Sequence, residues 1–112
     1  MPDCLFCRIA RKEIPAQVVA ETDDCLAFRD INPQAPTHVL VIPKQHFDSL
    51  SSPGAPIVLA LMAALAVEVA RNLGVAEPGY RVVVNTGNDG GQSVHHLHAH
   101  LLAGRQLSWP PG

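Results

Sequence analysis

His96-Leu97-His98-Ala99-His100 puts an imidazole at every second position of a short apolar run. A period of two is the period of a β-strand, where successive side chains leave on opposite faces. His96, His98 and His100 would then line one face while Leu97, Ala99 and Leu101 pack into a core. Residues two apart on one face lie roughly 6.5 Å apart at Cα, and the outer pair about 13 Å. The three rings therefore suit a row of separate jobs along an anionic substrate better than one shared ion, although any adjacent pair could share one. The competing reading is a set of partly exposed strand histidines with no role, and the Gly-rich segment just upstream counts against it.

The remainder of the chain bounds what such a strand can belong to. With 112 residues, 47% of them hydrophobic and 16% charged, the sequence is sized for one globular domain spanning 1–112. A chain this short has a limited core, so an oligomer would help bury its apolar faces. A formal charge of −2 and scattered Lys and Arg give no basic stripe, which argues against nucleic acid as partner. No apolar run reaches membrane-spanning length uninterrupted by charge, and Met1-Pro2-Asp3-Cys4 lacks a basic segment followed by an apolar one. The expected location is the cytoplasm, with no membrane partner. Three cysteines are too few, and odd in number, for a disulfide framework, which leaves reduced thiols or a metal site.

Local patterns order the elements. Leu5 to Lys12 reads as a short helix ending before the extended dipeptide Ile14-Pro15. Val18–Glu21 and Cys25–Phe28 read as a hairpin around Thr22-Asp23-Asp24, and His38–Ile42 as a third strand stopping at Pro43. From Pro56 to about Leu73 the chain is rich in Ala, Leu and Val, with Gly74 as its C-cap. This is the one long helix, and with Glu68 and Arg71 nearly its only charges most of its surface should be covered. Tyr80–Asn85 and Leu97–Ala103 complete five strands. Strands arriving in hairpin-like pairs with helices between them favour an α+β fold with an antiparallel sheet over a doubly wound one.

Between the last two strands lies Gly87-Asn88-Asp89-Gly90-Gly91-Gln92-Ser93. Glycines allow close backbone approach, and successive N–H groups can form a nest for phosphate oxygens; a tight hairpin turn needs glycine equally. No Gly-Lys-Ser/Thr follows, so this is not a P-loop. Its position, running straight into His96, is what favours phosphate. Separately, Cys4-Leu5-Phe6-Cys7 is half of a zinc site, since two thiolates at this spacing can take adjacent corners of a tetrahedron. A redox disulfide is the rival, without the βαβ context it usually has. Cys25, inside a strand, reads as a small core residue.

Gly91-Gln92-Ser93-Val94 followed by His96-Leu97-His98-Ala99-His100-Leu101-Leu102 resembles the signature of the histidine-triad (HIT) superfamily. Arg11–Ala16, Ala27–His38, Val41–Lys44 and the ending Gly104–Gly112 resemble its Hint branch, so the likeness covers nearly the whole chain. The ending favours the nucleoside phosphoramidate hydrolases over dinucleoside polyphosphate hydrolases and nucleotidylyltransferases. The resemblance implies a homodimer whose two five-stranded sheets join into one. It also implies purine nucleotide substrates of AMP or GMP type.

Roles follow from the same likeness, residue by residue. His98 is the nucleophile, and a neutral imidazole is a good one toward phosphorus, giving a nucleotidyl-imidazole that water later cleaves. His100 donates to the phosphate and Ser93 to the departing amine. Backbone N–H groups around Gly91, Gln92 and Ser93, with the Asn85 side chain, bind phosphate oxygens without a catalytic metal. Asp30 accepts from the ribose hydroxyls, as a carboxylate can from two vicinal donors. Phe6, Ile9, Phe28 and Ile31 form the base slot, although the same residue types are ordinary core. In zinc-bearing relatives the ligands beside a Cys pair come from positions matching His46 and His96. The implied set is thus Cys4, Cys7, His46 and His96 around one structural zinc per chain. Trp109 belongs to a tail that crosses the dimer interface toward the partner's site. Two positions depart from the pattern: His95 stands where relatives often carry an aromatic residue, and Ser108 where many carry histidine. Two other classes stay open, a zinc hydrolase using two triad histidines and a nucleotide-binding regulatory protein with little turnover.

Overall fold

A computed structural model of the chain describes residues 4–112; Met1, Pro2 and Asp3, part of the stretch read above for a targeting signal, lie outside the described residues. The element order is α1 (Leu5–Ala10), β1 (Val18–Glu21), β2 (Cys25–Arg29), β3 (Thr37–Pro43), α2 (Ala55–Asn72), β4 (Tyr80–Val83) and β5 (Ala99–Ala103). One five-stranded sheet runs in the order β1-β2-β3-β5-β4, with every neighbouring pair antiparallel. The α+β expectation is met, and several boundaries move.

Alternation along the strands sorts residues between two faces. Cys25, Ala27, Val39, Val41 and Leu101 join Met62, Leu65, Ala66, Val69 and Ala70 of α2 in one core. Their neighbours Leu26, Phe28, Leu40 and Ile42 join Phe6 and Ile9 of α1 in a second. Burying each large side chain contributes roughly 1.5–3 kcal/mol. The two helices differ in reach. α2 has 18 residues and covers its face, whereas α1 has six and leaves part of the opposite face open. That uncovered area is where the cavity forms.

Both helices end in the same way. Glu13 N–H reaches Arg8 O and Lys12 N–H reaches Ile9 O, with Lys12 at φ 63; after α2, Val75 N–H reaches Ala70 O and Gly74 N–H reaches Arg71 O, with Gly74 at φ 74. These paired bonds close the last turn around a left-handed residue. Gly74 does this at no steric cost, and Lys12 explains why α1 stops two residues before the expected Lys12.

α2 is long and apolar enough to cross a membrane by length and composition alone, yet one face is packed on the sheet. Within the chain its other face is uncovered: Ile57, Leu61 and Val67 are exposed, Ile57 by 80%. Tyr80 and Val82 are also exposed on β4, an edge strand of the sheet.

Candidate functional site

The largest correction concerns the histidine row. β5 begins at Ala99, so His96, in a bend, and His98, just after it, both precede the strand and only His100 is in it. Leu97, Ala99 and Leu101 do pack into the α2 core as the alternation requires. The bend has a physical cause: Leu97 N–H is drawn to Phe47 O at 2.7 Å, and the His96 carbonyl turns to accept from the His98 ring, also at 2.7 Å. The rings consequently serve two places. His98 and His100 line a cavity, while His96 joins the N-terminal cysteines.

That cavity, of 330 Å³, lies over the sheet face that α1 leaves open and is lined in part by Phe6, Ile9, Phe28, Asp30, Ile31, Ser93, His98 and His100. Phe6, Ile9 and Phe28 belong to the second core as well, so the core and slot readings of these residues are both true of different edges of the same side chains. Ile31 stands fully exposed at the mouth. Phe6 meets His98 edge-on, with centroids 5.2 Å apart at 89°, and fixes one side of its ring. Since His98 Nδ1–H donates to the His96 carbonyl, its Nε2 keeps a free lone pair. His100 sits 5.0 Å from His98 between ring centroids. Burial, with the neighbouring His98 and His38 adding to it, pushes the His100 pKa down to about 4, so this ring is neutral near pH 7.

The Gly-rich segment behaves differently from the expectation. Gly91 N–H donates to Asn88 O and Gln92 N–H to Gly87 O, so both donors are consumed inside the loop. The Gln92 side chain is buried and structural: its Oε1 accepts from Gly87 N–H, and its Nε2 donates to Asp48 O at 2.7 Å and Val94 O at 3.1 Å. Asn85, Gly91 and Gln92 are not among the cavity-lining residues; Asn85 Nδ2 lies 4.0 Å from where a Cβ on Gly91 would sit. Ser93 alone of this loop set faces the cavity. β4 also ends at Val83, leaving Asn85 in the connection.

Sequence reading missed His38. On β3 it shares the cavity-side face with Leu40 and Ile42, and it is 5% exposed. Its Nε2 lies 2.9 Å from His100 Nδ1 and 3.5 Å from Asp30 Oδ2, and burial lowers its pKa. The available signal was parity: a histidine two residues before Leu40 in an otherwise apolar strand must enter that face.

Cys4, Cys7, His46 and His96 come together as implied, with ligand atoms all within 4.8 Å of one another. Cys4 is the N-cap of α1, accepting from Cys7 N–H at 3.3 Å, which sets both sulfurs at one helix terminus. His96 Nε2–H donates to Pro43 O at 2.8 Å and His46 Nε2–H to Asp48 Oδ1 at 2.7 Å. Each ring therefore turns a bare Nδ1 inward, 3.2 Å from the other. The sulfurs lie 3.2–3.5 Å from these nitrogens. Tetrahedral zinc bonds of about 2.0–2.3 Å put neighbouring donors roughly 3.3–3.7 Å apart. The set fits a structural metal, with outer partners already holding both imidazoles. Cys25 is fully buried in the α2 core. His95 is exposed and lines a shallow pocket beside Cys4 and His46.

At the C-terminus Arg81 Nη2 donates to Ser108 O at 2.9 Å, and Trp109 is 81% exposed.

Residues 11–107 match the HIT domain family, and the chain belongs to it. It is 50% identical over 113 residues to the 14 kDa zinc-binding protein of Zea mays, covering 96% of this chain and 87% of that protein. The crystal structure of a HIT family hydrolase from Legionella pneumophila superposes with a TM-score of 0.94 at 51% identity, covering 98% of this chain and 100% of that one. The histidine triad nucleotide-binding protein of Candida albicans superposes with a TM-score of 0.83 at 33% identity, covering 96% and 83%.

Proposed function

We propose that this protein is a nucleotide-binding hydrolase that cleaves the P–N bond of purine nucleoside 5′-phosphoramidates through a nucleotidyl-His98 intermediate. One observation carries the reading: His98 lines a cavity of nucleoside size with its Nδ1 donating to the His96 carbonyl, which in a neutral ring leaves Nε2 unprotonated. Nε2 attacks phosphorus and the P–N bond breaks. The Ser93 hydroxyl passes a proton to the departing amine. His100 donates to a non-bridging oxygen, where charge accumulates. Water then attacks phosphorus and gives a proton back to Ser93 Oγ, the P–Nε2 bond breaks, and the nucleoside monophosphate leaves with His98 again neutral. Asp30 accepts from ribose, and Phe6, Ile9, Phe28 and Ile31 hold the base. The names of the Legionella hydrolase and the Candida nucleotide-binding protein support the class.

The further assignments belong to the same reading. Cys4, Cys7, His46 and His96 hold one structural zinc per chain, supported by the donor geometry and by the name of the maize relative. A second copy covers Ile57, Leu61 and Val67 and extends the sheet from the β4 edge, with Trp109 reaching toward the partner's site. The protein acts in the cytoplasm. Incubation with adenosine 5′-phosphoramidate and an AMP-lysine conjugate tests the activity, with many AMP molecules released per chain as the expected result. Tight AMP binding without release from either compound would favour the regulatory binding protein instead.

A further inference from the structure

We infer that His38 is a positioning residue: it fixes the proton of His100 on Nε2 and thereby makes His100 a donor toward the cavity. The proposal rests on the reading of His100 as a phosphate donor, and the observations behind it are a chain of hydrogen bonds with only one consistent direction. Gln34 N–H donates to His38 Nδ1 at 3.0 Å. A backbone N–H can only donate, so His38 Nδ1 is unprotonated, and a neutral His38 must carry its proton on Nε2. His38 Nε2 lies 2.9 Å from His100 Nδ1. Nε2–H therefore donates, and His100 Nδ1 accepts. His100 in turn has its proton on Nε2, on the side of the ring away from His38, in a residue that lines the cavity. Burial disfavours the charged form of both rings, so each holds a single proton to be placed.

The carboxylate beside this chain adjusts it without redirecting it. Asp30 Oδ2 is 3.5 Å from His38 Nε2 and attracts the same proton, while Asp30 Oδ1 accepts from Asn32 N–H at 2.8 Å. Asp30, His38 and His100 also lie close enough to suggest a metal site. The direction of the bonds argues otherwise. A cation would have to expel the proton from His38 Nε2, while Nδ1, the only other nitrogen of that ring, already accepts from the main chain. Turning the ring's proton to Nδ1 would set it against the Gln34 N–H.

His38 is nearly fully buried and is not among the cavity-lining residues; its Nε2 meets His100 at 2.9 Å and the ribose-side Asp30 only at 3.5 Å, so the closer contact, to His100, carries its contribution. The side-chain amide of glutamine can place an N–H near the former Nε2, whereas methionine fills similar space with no donor. The test is histidine ¹⁵N NMR on the full-length protein and on His38→Gln and His38→Met, together with kcat and KM on adenosine 5′-phosphoramidate. In the wild-type protein at neutral pH, His38 and His100 should both show a protonated Nε2 and a bare Nδ1. A proton on His100 Nδ1 would overturn the proposal whether or not either variant folds. His38→Met should mix the His100 tautomers and lower kcat about 10- to 100-fold with KM little changed. His38→Gln should restore the Nε2–H form and most of the turnover. A folded His38→Met with wild-type tautomer and kcat would reject the idea, as would a folded His38→Gln with the Nε2–H form but the methionine variant's rate. The NMR measurement needs no substrate, so failure of the hydrolase reading and failure of this one give different results.

Discussion

Two histidine clusters lie on either side of the bend before β5, built from the same side chain and wired in opposite senses. Around Cys4 and Cys7, His46 and His96 direct their N–H groups outward, to Asp48 and Pro43, and their lone pairs converge on one point. Beside Asp30, the rings form a line in which each donor meets an acceptor, from Gln34 N–H through His38 to His100. Convergent lone pairs suit a cation; a donor-to-acceptor line suits a fixed proton. Proximity of titratable groups does not distinguish the two, and the partners on the far side of each ring do. Among the described residues no buried side-chain N or O lacks a partner, so neither arrangement is left to choose its own protonation.

The sharpest test of this division falls on His98, which belongs to neither cluster's interior. His98→Ala should lower AMP release from phosphoramidates by about 10⁴-fold or more, with AMP affinity within about threefold because the ribose and phosphate partners remain. Acid-labile labelling of the protein by nucleotide should vanish in the same variant. Retention of turnover would mean that the free Nε2 is not the nucleophile and that the cluster comparison has no bearing on chemistry.

Metal removal should strike the first cluster alone. Chelation of zinc-loaded protein, or Cys4→Ser, is expected to lower folding stability by about 3–4 kcal/mol when zinc is supplied well above its dissociation constant, read as a drop in Tm. Turnover of the protein that stays folded should change little. If a folded, stripped protein loses all activity and zinc restores it, the two clusters are not separate and the metal belongs to the reaction.

The smallest effect sharpens the second cluster. His100 has a pKa of about 4 when folded and roughly 6.5 when unfolded. Below pH 6.5 the unfolded chain therefore takes up a proton that the folded one refuses. The stability that this neutral ring contributes is intact above pH 6.5 and is lost as pH falls toward 4, by at most about 1.4 kcal/mol per unit. Urea denaturation of wild type and His100→Asn should show the wild-type advantage shrinking across that window. An advantage that stays flat from pH 7 to 4 would mean the ring is not held neutral by its surroundings.

Much of this organisation was legible before any coordinates. The period of two along residues 96–101 correctly assigned Leu97, Ala99 and Leu101 to the core, and the Cys-x-x-Cys spacing pointed to a pair of sulfurs that folding brings to His46 and His96 in a cluster that fits a metal. Periodicity reports side-chain parity but not where main-chain pairing begins, which is why His96 was grouped with His98 on one strand face. The likeness and the glycine-rich loop give the Gln92 backbone N–H to phosphate; that N–H is used by Gly87 O, and the side chain is held by Gly87, Asp48 and Val94, contacts made only on folding. His38 escaped notice for a related reason. Parity alone puts a single histidine on the face of Leu40 and Ile42, but its meaning comes from His100, 62 residues away.

The proton of His98 is held by the main-chain carbonyl of His96, whereas the line to His100 runs through the side chain of His38. A carbonyl is the one acceptor that every amino acid carries, so no single codon change can delete it; only a change in the path of the backbone can. The tautomer of His98, the proposed nucleophile, is thus encoded in the shape of the bend from Val94 to His96 rather than in any one residue's identity. Random mutagenesis should accordingly find donor-line defects at position 38 directly, and nucleophile-tautomer defects scattered over whatever residues hold that bend in place.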